Sequence, residues 1–244
     1  MNRRHMLIAF ALGLSLAVSP AMAKSKARDL VVTPPPSFDT KVDADISHDT
    51  DNVLLLDLSN GGRVAIRLMP KWAPNHVERV KTLAKRGFYN GIIFHRVIEG
   101  FMAQAGDPTG TGQSGSDLPD LKAEFNMVPH MRGSVSMART NEPDTANSQF
   151  FIVFYPRFAL DRRYTNFGRV IAGMDVADAI ARGEPPQNPT KILQASLASE
   201  NKPQVLPAPP APPAPPPSLI SAPTAPVAKV SPKASAAKPA RKPL

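Results

Sequence analysis

Between residues 53 and 198 the chain carries eight short runs rich in apolar and β-branched residues, none longer than eight positions. They are Val53–Leu58, Arg63–Leu68, Ile93–Ile98, Phe101–Ala105, Gly133–Ala138, Gln149–Phe154, Phe167–Ile171 and Lys191–Ala198. Runs of this length bounded by Gly, Asn, Asp and Pro read as strands. Asn60-Gly61-Gly62 between the first two is a hairpin signal. Only two stretches have helical spacing. One starts at Pro74, repeats Val77, Val80 and Ala84, and stops at Gly87, so its valine stripe faces a core; the other covers Met174–Ala181. Many short strands with two helices imply a mainly β fold, an antiparallel sheet closed into a barrel so that it has no bare edges.

The two ends of the 244-residue chain do not belong to that fold. Arg3 and Arg4, an apolar stretch from Met6 to Val18, and Ala21-Met22-Ala23 form the pattern of a secretory signal peptide over residues 1–23. About a dozen apolar residues fall short of the ~20 that span a bilayer. Export of a bacterial chain of this kind would place it in the periplasm. Residues 24–48, with Pro34-Pro35-Pro36, read as a linker, and residues 49–200 as the folded domain. From residue 201 to 244 proline and alanine dominate, and half of the chain's 28 prolines lie there. Proline lacks an amide donor and favours an extended backbone, so this tail is expected to be disordered and not to pack.

The formal charge of +9 also sits at the ends. Arg3 and Arg4 precede the expected cleavage site, and Lys202, Lys229, Lys233, Lys238, Arg241 and Lys242 lie in a tail without acids, which leaves +1 on residues 24–200. The basic tail has no aromatic residue to stack on bases, which argues against nucleic acid and for weak attraction to an anionic envelope surface. No cysteine is present, so neither disulfides nor thiolate chemistry contribute.

The chemistry-bearing residues are concentrated in Phe94-His95-Arg96-Val97-Ile98-Glu99-Gly100-Phe101-Met102-Ala103-Gln104-Ala105-Gly106-Asp107, followed by Ser136-Met137-Ala138 and Ser148-Gln149-Phe150-Phe151. These segments supply an arginine, two amides and large apolar side chains, but no nucleophile paired with a base and no phosphate cradle. Strand alternation places Arg96, Met102, Gln104, Gln149 and Phe151 on one outer surface, with Phe150 and Ile152 inside the barrel. Phe101 joins the outer group if the chain turns at Gly100. His95 faces away from Arg96 and reads as a structural hydrogen-bonding residue. A site of this composition suits a change of conformation without covalent chemistry.

These segments closely resemble the cyclophilins, the peptidyl-prolyl cis-trans isomerases, whose FHR, GFM, QxGD, SMA and SQFF signatures occur in this order over roughly residues 50–198. The resemblance implies an eight-stranded antiparallel barrel capped by two helices, acting without cofactor or metal on proline-containing polypeptide clients in protein folding, as a monomer. It implies Arg96 and Gln104 as the catalytic pair, with Arg96 near the prolyl nitrogen. Phe101, Met102, Phe151 and Leu160 would form the proline pocket. Gln104 and the backbone at Arg139 would hold the substrate main chain, and Ala138, Gln149 and Tyr164 complete the substrate-binding set. Gln149 has two readings, substrate contact or positioning of Arg96. The chain departs from the familiar pattern at Phe158-Ala159-Leu160-Asp161, where many cyclophilins have Trp-Leu-Asp, and at Tyr164, which replaces a histidine. Ala159 takes the tryptophan's place unless Phe158 swings in, which bears on cyclosporin affinity more than on isomerase activity.

Rival signals carry less. Gly110-Thr111-Gly112-Gln113-Ser114-Gly115 matches a dinucleotide fingerprint, but Pro108 precedes it and no helix follows to hold a pyrophosphate. In the cyclophilin reading this loop borders a secondary substrate groove. His5, His48, His76, His95 and His130 lack metal-ligand spacing, and Asp117, Asp120 and Glu124 read as loop charges. A pure proline-binding module would have no need for a cation aimed at the prolyl nitrogen.

Overall fold

The computed structural model describes residues 39–209. The expected signal peptide, the linker up to residue 38 and the tail beyond 209 lie outside the described residues. The compact unit begins at Val42.

Eight antiparallel strands form one curled sheet in the order β3-β4-β6-β5-β7-β2-β1-β8. They are β1 (Val53–Leu58), β2 (Arg63–Leu68), β3 (Arg96–Ile98), β4 (Met102–Ala105), β5 (Ser134–Met137), β6 (Phe150–Val153), β7 (Asn166–Ala172) and β8 (Ile192–Leu197). Helices α1 (Pro74–Lys85) and α2 (Met174–Asp178) complete the fold. The expected eight strands and two helices are all present, most of them trimmed at their ends. The second helix stops at Asp178 instead of Ala181, ahead of a segment whose Gly183, Pro185 and Pro186 cannot continue it.

Sheet closure is made by few bonds. The end strands β3 and β8 share no ladder; an isolated bridge joins their flanks at Ile93 and Lys191, and another joins Val97 of β3 to Gly183 in the connection from α2 to β8. Inside the curl pack Leu54, Leu56, Ile66, Val97, Ala103, Val135, Phe150, Ile152 and Phe167, with Val77, Val80 and Leu83 of α1 closing one side. Full burial of such a side chain stabilises by about 1.5–3 kcal/mol, so this cluster dominates the favourable side of folding.

Polar side chains pin the periphery. The Glu124 carboxylate accepts the backbone N–H groups of Asn75 and His76 at 3.2 and 3.1 Å and meets His76 Nδ1 at 2.6 Å. It therefore caps α1, whose own N-cap residue, Ala73, has no side chain able to do so; the loop-charge reading of Glu124 was too plain.

The packed region extends beyond 49–200 at both ends. Buried Arg67 donates to the carbonyls of Asp43, Asp45, His48 and Asp49 at 2.6–3.0 Å, so this part of the expected linker is strapped to β2. Downstream, Val205 N–H donates to Asp57 Oδ2 at 2.8 Å and Gln194 Nε2 to the Pro203 carbonyl at 3.0 Å. Arg63 grips the same Asp57 carboxylate across the hairpin through two bonds. The first residues of the expected tail are thus held along β1 and β8.

Candidate active site

The register of three strands assembles the site. Arg96 stands opposite Gln104, Ile98 opposite Met102, Gln104 opposite Phe151 and Met102 opposite Val153. Because strand side chains alternate, Met102, Phe151 and Val153 form a separate apolar cluster outside the barrel, while Phe150 and Ile152 enter the core. Ile98, Phe101, Ala138, Leu160 and Tyr164 pack on that outer cluster. Gly100, at φ 66°, makes the turn that lets Phe101 join it.

A cavity of about 150 Å³ lies on this surface, lined by Arg96, Phe101, Met102, Gln104, Ala138, Arg139, Phe151, Leu160 and Tyr164. These are the residues expected from the sequence, except Gln149. The Phe151 and Tyr164 rings meet edge to face, with centroids 5.6 Å apart. Leu160 sits at the end of a 3₁₀ turn, Phe158–Leu160, whose following Asp161 accepts from both His130 N–H and His130 Nδ1 at 2.8 Å. Burial holds the His130 imidazole below its ordinary pKa, and Asp161 opposes that shift only in part. Phe158 does not swing in. It is 64% exposed, and Ala159 beside it is exposed, so the rim lacks an aromatic lid at that point.

Two guanidinium groups border the cavity, and they differ in what they have left to give. Arg139 lies 4.7 Å over the Tyr164 ring and donates to the carbonyls of Thr140, Asn141 and Arg163. Its side chain holds the rim together. Arg96 is 40% exposed and held through Nε by Glu184 Oε2 at 2.8 Å. Glu184 lies 88 residues along the chain in a Gly-Glu-Pro-Pro loop, and no periodicity links it to the site.

Beside the cavity runs a larger groove of about 670 Å³, lined by the loop Gly112–Ser116 and by Asp120, Thr140, Asn141, Thr145 and Asn147, and sharing Gln104, Ala138 and Arg139 with it; Gln149 belongs here. Buried Asp107 organises the loop by accepting from Thr109 N–H and Oγ1 and from the amides of Gly112 and Ser114. Burial works against its charged form, but the bonds from Thr109, Ser114 and Gly112 prevail and keep its carboxyl below the ordinary carboxylate value. Gln149 Nε2 donates to the carbonyls of Ser114 and Gly112 at 2.7 and 3.1 Å. It does not bond to Arg96, so the positioning reading of Gln149 gives way to a loop anchor. Gly106, at φ 97°, lets the end of β4 approach β6, since a Cβ there would lie 2.4 Å from the Ser148 carbonyl oxygen. Gly112 leaves room for the buried His95 ring, whose two nitrogens have no hydrogen-bond partner among the described residues. The ring packs beneath Gly112 and lies away from Arg96, as strand alternation predicts. Among the described residues no three His, Asp or Glu side chains gather as a metal site.

The family model "Cyclophilin type peptidyl-prolyl cis-trans isomerase/CLD" matches residues 54–197, which span the whole sheet and both walls of the cavity. The chain belongs to the cyclophilin-type peptidyl-prolyl cis-trans isomerases. Cyclophilins rotate X–Pro bonds, and this one is an isomerase by that membership. It is 43% identical over 170 residues to a probable peptidyl-prolyl cis-trans isomerase of Brucella suis biovar 1, covering 63% of this chain and 86% of the relative. It is 45% identical over 130 residues to a peptidyl-prolyl cis-trans isomerase of Helicobacter pylori, covering 52% and 78%. Among solved structures it resembles the cyclophilin AquaCyp293 of Hirschia baltica, with TM-score 0.59, 32% identity, and 64% and 77% of the two chains covered. A Cryptosporidium parvum cyclophilin-type isomerase, crystallised in the presence of the dipeptide Ala-Pro, matches with TM-score 0.55, 28% identity, and 59% and 98% covered.

Proposed function

We propose that this cyclophilin lowers the rotation barrier by directing Arg96 at the prolyl nitrogen of a substrate whose proline ring occupies the 150 Å³ cavity. The observation that carries this reading is the pairing of one guanidinium edge of Arg96 with the apolar wall made by Phe101, Met102, Phe151 and Leu160. Peptide resonance sets a barrier of about 18–20 kcal/mol, and uncatalysed X–Pro exchange takes tens to hundreds of seconds. Bringing it to milliseconds requires about 10⁴-fold, roughly 5–6 kcal/mol. As the bond twists, conjugation is lost and the nitrogen becomes pyramidal and basic. An N–H donor placed there stabilises the twisted state more than the planar one, which is the condition for catalysis. Phe101, Met102, Phe151 and Leu160 hold the ring without competing for hydrogen bonds. Gln104 and the backbone at Ala138–Arg139 fix the main chain on one side so that only the other side turns.

Proline-containing polypeptides are the substrate class, in keeping with the Ala-Pro dipeptide present with the Cryptosporidium parvum relative. The charged and apolar leader ahead of Ala21-Met22-Ala23 supports export, so that the clients are folding proteins of the periplasm, met by a monomeric enzyme. The test is a protease-coupled or NMR exchange assay on an X–Pro peptide with the purified protein from residue 24. Acceleration is expected, and Arg96→Ala is expected to lower kcat/KM by two or more orders of magnitude, about 3 kcal/mol, while the barrel stays folded.

A further inference from the structure

The short segment Arg182-Gly183-Glu184 meets β3 through an alternating set of contacts. Val97 and Gly183 exchange both backbone hydrogen bonds, Val97 N–H to the Gly183 carbonyl at 2.8 Å and Gly183 N–H to the Val97 carbonyl at 2.9 Å. On one side of this bridge Arg182 Nε meets Glu99 at 2.7 Å; on the other, Glu184 meets Arg96 Nε at 2.8 Å. The two ion pairs have opposite polarity, so a shifted register would set like charges against each other. Gly183 lets this loop fold back on itself beside the bridge, since a Cβ there would lie 2.6 Å from Pro186 Cα and its φ is 143°. The loop is braced again where Ala181 N–H donates to Thr190 Oγ1 at 3.1 Å.

We infer that Glu184 is a positioning residue for isomerisation, which fixes the plane of the Arg96 guanidinium so that its two Nη groups are presented to the proline cavity. This rests on the reading of Arg96 as the catalytic cation. An arginine side chain left alone samples many rotamers, and a cation must be aimed within a fraction of an ångström to favour the twisted state over the planar one. Bonding Nε removes the one donor that points away from the fork and leaves the fork itself. Both partners are partly exposed, 40% and 51%, so water screens the pair and it adds little to folding. Its effect is on aim.

The test uses Glu184→Ala and Glu184→Gln in the full protein, alone and with Arg96→Ala. Glu184→Ala is expected to lower kcat about tenfold with KM changed less than twofold, and Glu184→Gln, which keeps an acceptor oxygen, to recover most of the loss. In the arginine Nε–Hε region of a ¹H–¹⁵N spectrum, a slowly exchanging Arg96 resonance, assigned by its absence from Arg96→Lys, should vanish in Glu184→Ala and persist in Glu184→Gln. In the Arg96→Ala background Glu184→Ala should have no further effect. The inference is overturned if Glu184→Ala is fully active while Arg96→Ala is inactive, or if the two losses simply add. A fully active Arg96→Ala would remove the catalytic reading itself, and with it any role for Glu184.

Discussion

Gln104 and Gln149 form a polarised pair in which Gln104 Nε2 donates to Gln149 Oε1 at 2.9 Å. The direction is dictated from outside the pair. Gln149 Nε2 is consumed by the carbonyls of Gly112 and Ser114, so its oxygen must face Gln104, and Gln104 must answer with its amide nitrogen. Gln104 Oε1 is thereby left out of the pair, which suits the proposed role of this side chain as acceptor for a substrate N–H. Replacing Gln149 with leucine should free both the loop and the orientation of Gln104. We expect kcat/KM to fall about tenfold, roughly 1.4 kcal/mol, carried mainly by KM, with faster amide exchange over residues 110–116. Unchanged kinetics on a folded Gln149→Leu variant would show that Gln104 orients itself.

Arg67 gives a stability prediction far from the cavity. It is 3% exposed and binds four backbone carbonyls, with no carboxylate partner among the described residues. Arg67→Met keeps most of the volume and deletes every donor. Residues 43–49 should detach at a cost of about 2–4 kcal/mol, read by urea unfolding, while X–Pro turnover at 25 °C stays within twofold. A loss under 0.5 kcal/mol would mean that the strap is held by something other than this guanidinium.

Acid should weaken the fold before it reaches the carboxylates. Burial is the leading cause that holds His76, His95 and His130 below the ordinary imidazole value of 6.5, against partial opposition from Glu124, Asp107 and Asp161 respectively. The unfolded chain therefore binds more protons than the native one as pH falls below 6.5, and stability present above that value is lost on the way down. Each unmatched proton is worth about 1.4 kcal/mol per pH unit. Asp107 and Glu124, whose carboxyls lie below their ordinary 3.8 and 4.5, extend the loss to lower pH. Urea unfolding at pH 7.5 and 5.5 should show the decline, and His95→Leu should make it shallower, with His76 and His130 left to carry the rest. A stability that is flat between these two values would contradict the burial argument.

The two ends of the chain have their own tests. Intact mass of protein from the envelope fraction should show a mature chain starting at Lys24, and retention of Met1 in the cytosol would refute export. The basic tail, at about 1 kcal/mol per lysine near an anionic surface and a screening length of ~8 Å, should promote salt-sensitive co-sedimentation with anionic vesicles or cell wall. Truncation after residue 209 should abolish that binding and leave catalysis intact. Truncation after residue 200 should in addition lower stability, because it removes the Pro203 and Val205 contacts with Gln194 and Asp57.

Strand parity made much of the site legible from sequence. Alternation alone separates Phe151 from Phe150 and groups Met102 with Gln104, because a strand's side chains have only two directions to take. What parity could not supply are contacts made by loops. Glu184 reaches Arg96 through a bridge at Gly183 that leaves no periodic trace, and Glu124 looks like any loop acid until the start of α1 is seen against it. Parity also turns His95 away from Arg96, and its ring lies buried beneath Gly112.

Arg96 on β3 and Glu184 in the connection from α2 to β8 flank the Val97–Gly183 bridge, beside the seam where the end strands β3 and β8 share no ladder. A ladder resists sliding through many bonds at once, whereas here the two sides are held by isolated bridges and a few single backbone bonds, such as Gly91 N–H to the Ile192 carbonyl and Phe94 N–H to the Thr190 carbonyl. Thermal breathing of the barrel should concentrate along this line, and its first effect should be a change in the aim of Arg96. Catalytic rate should then respond to solution conditions that loosen the seam, such as high salt or mild heating, well before the core melts.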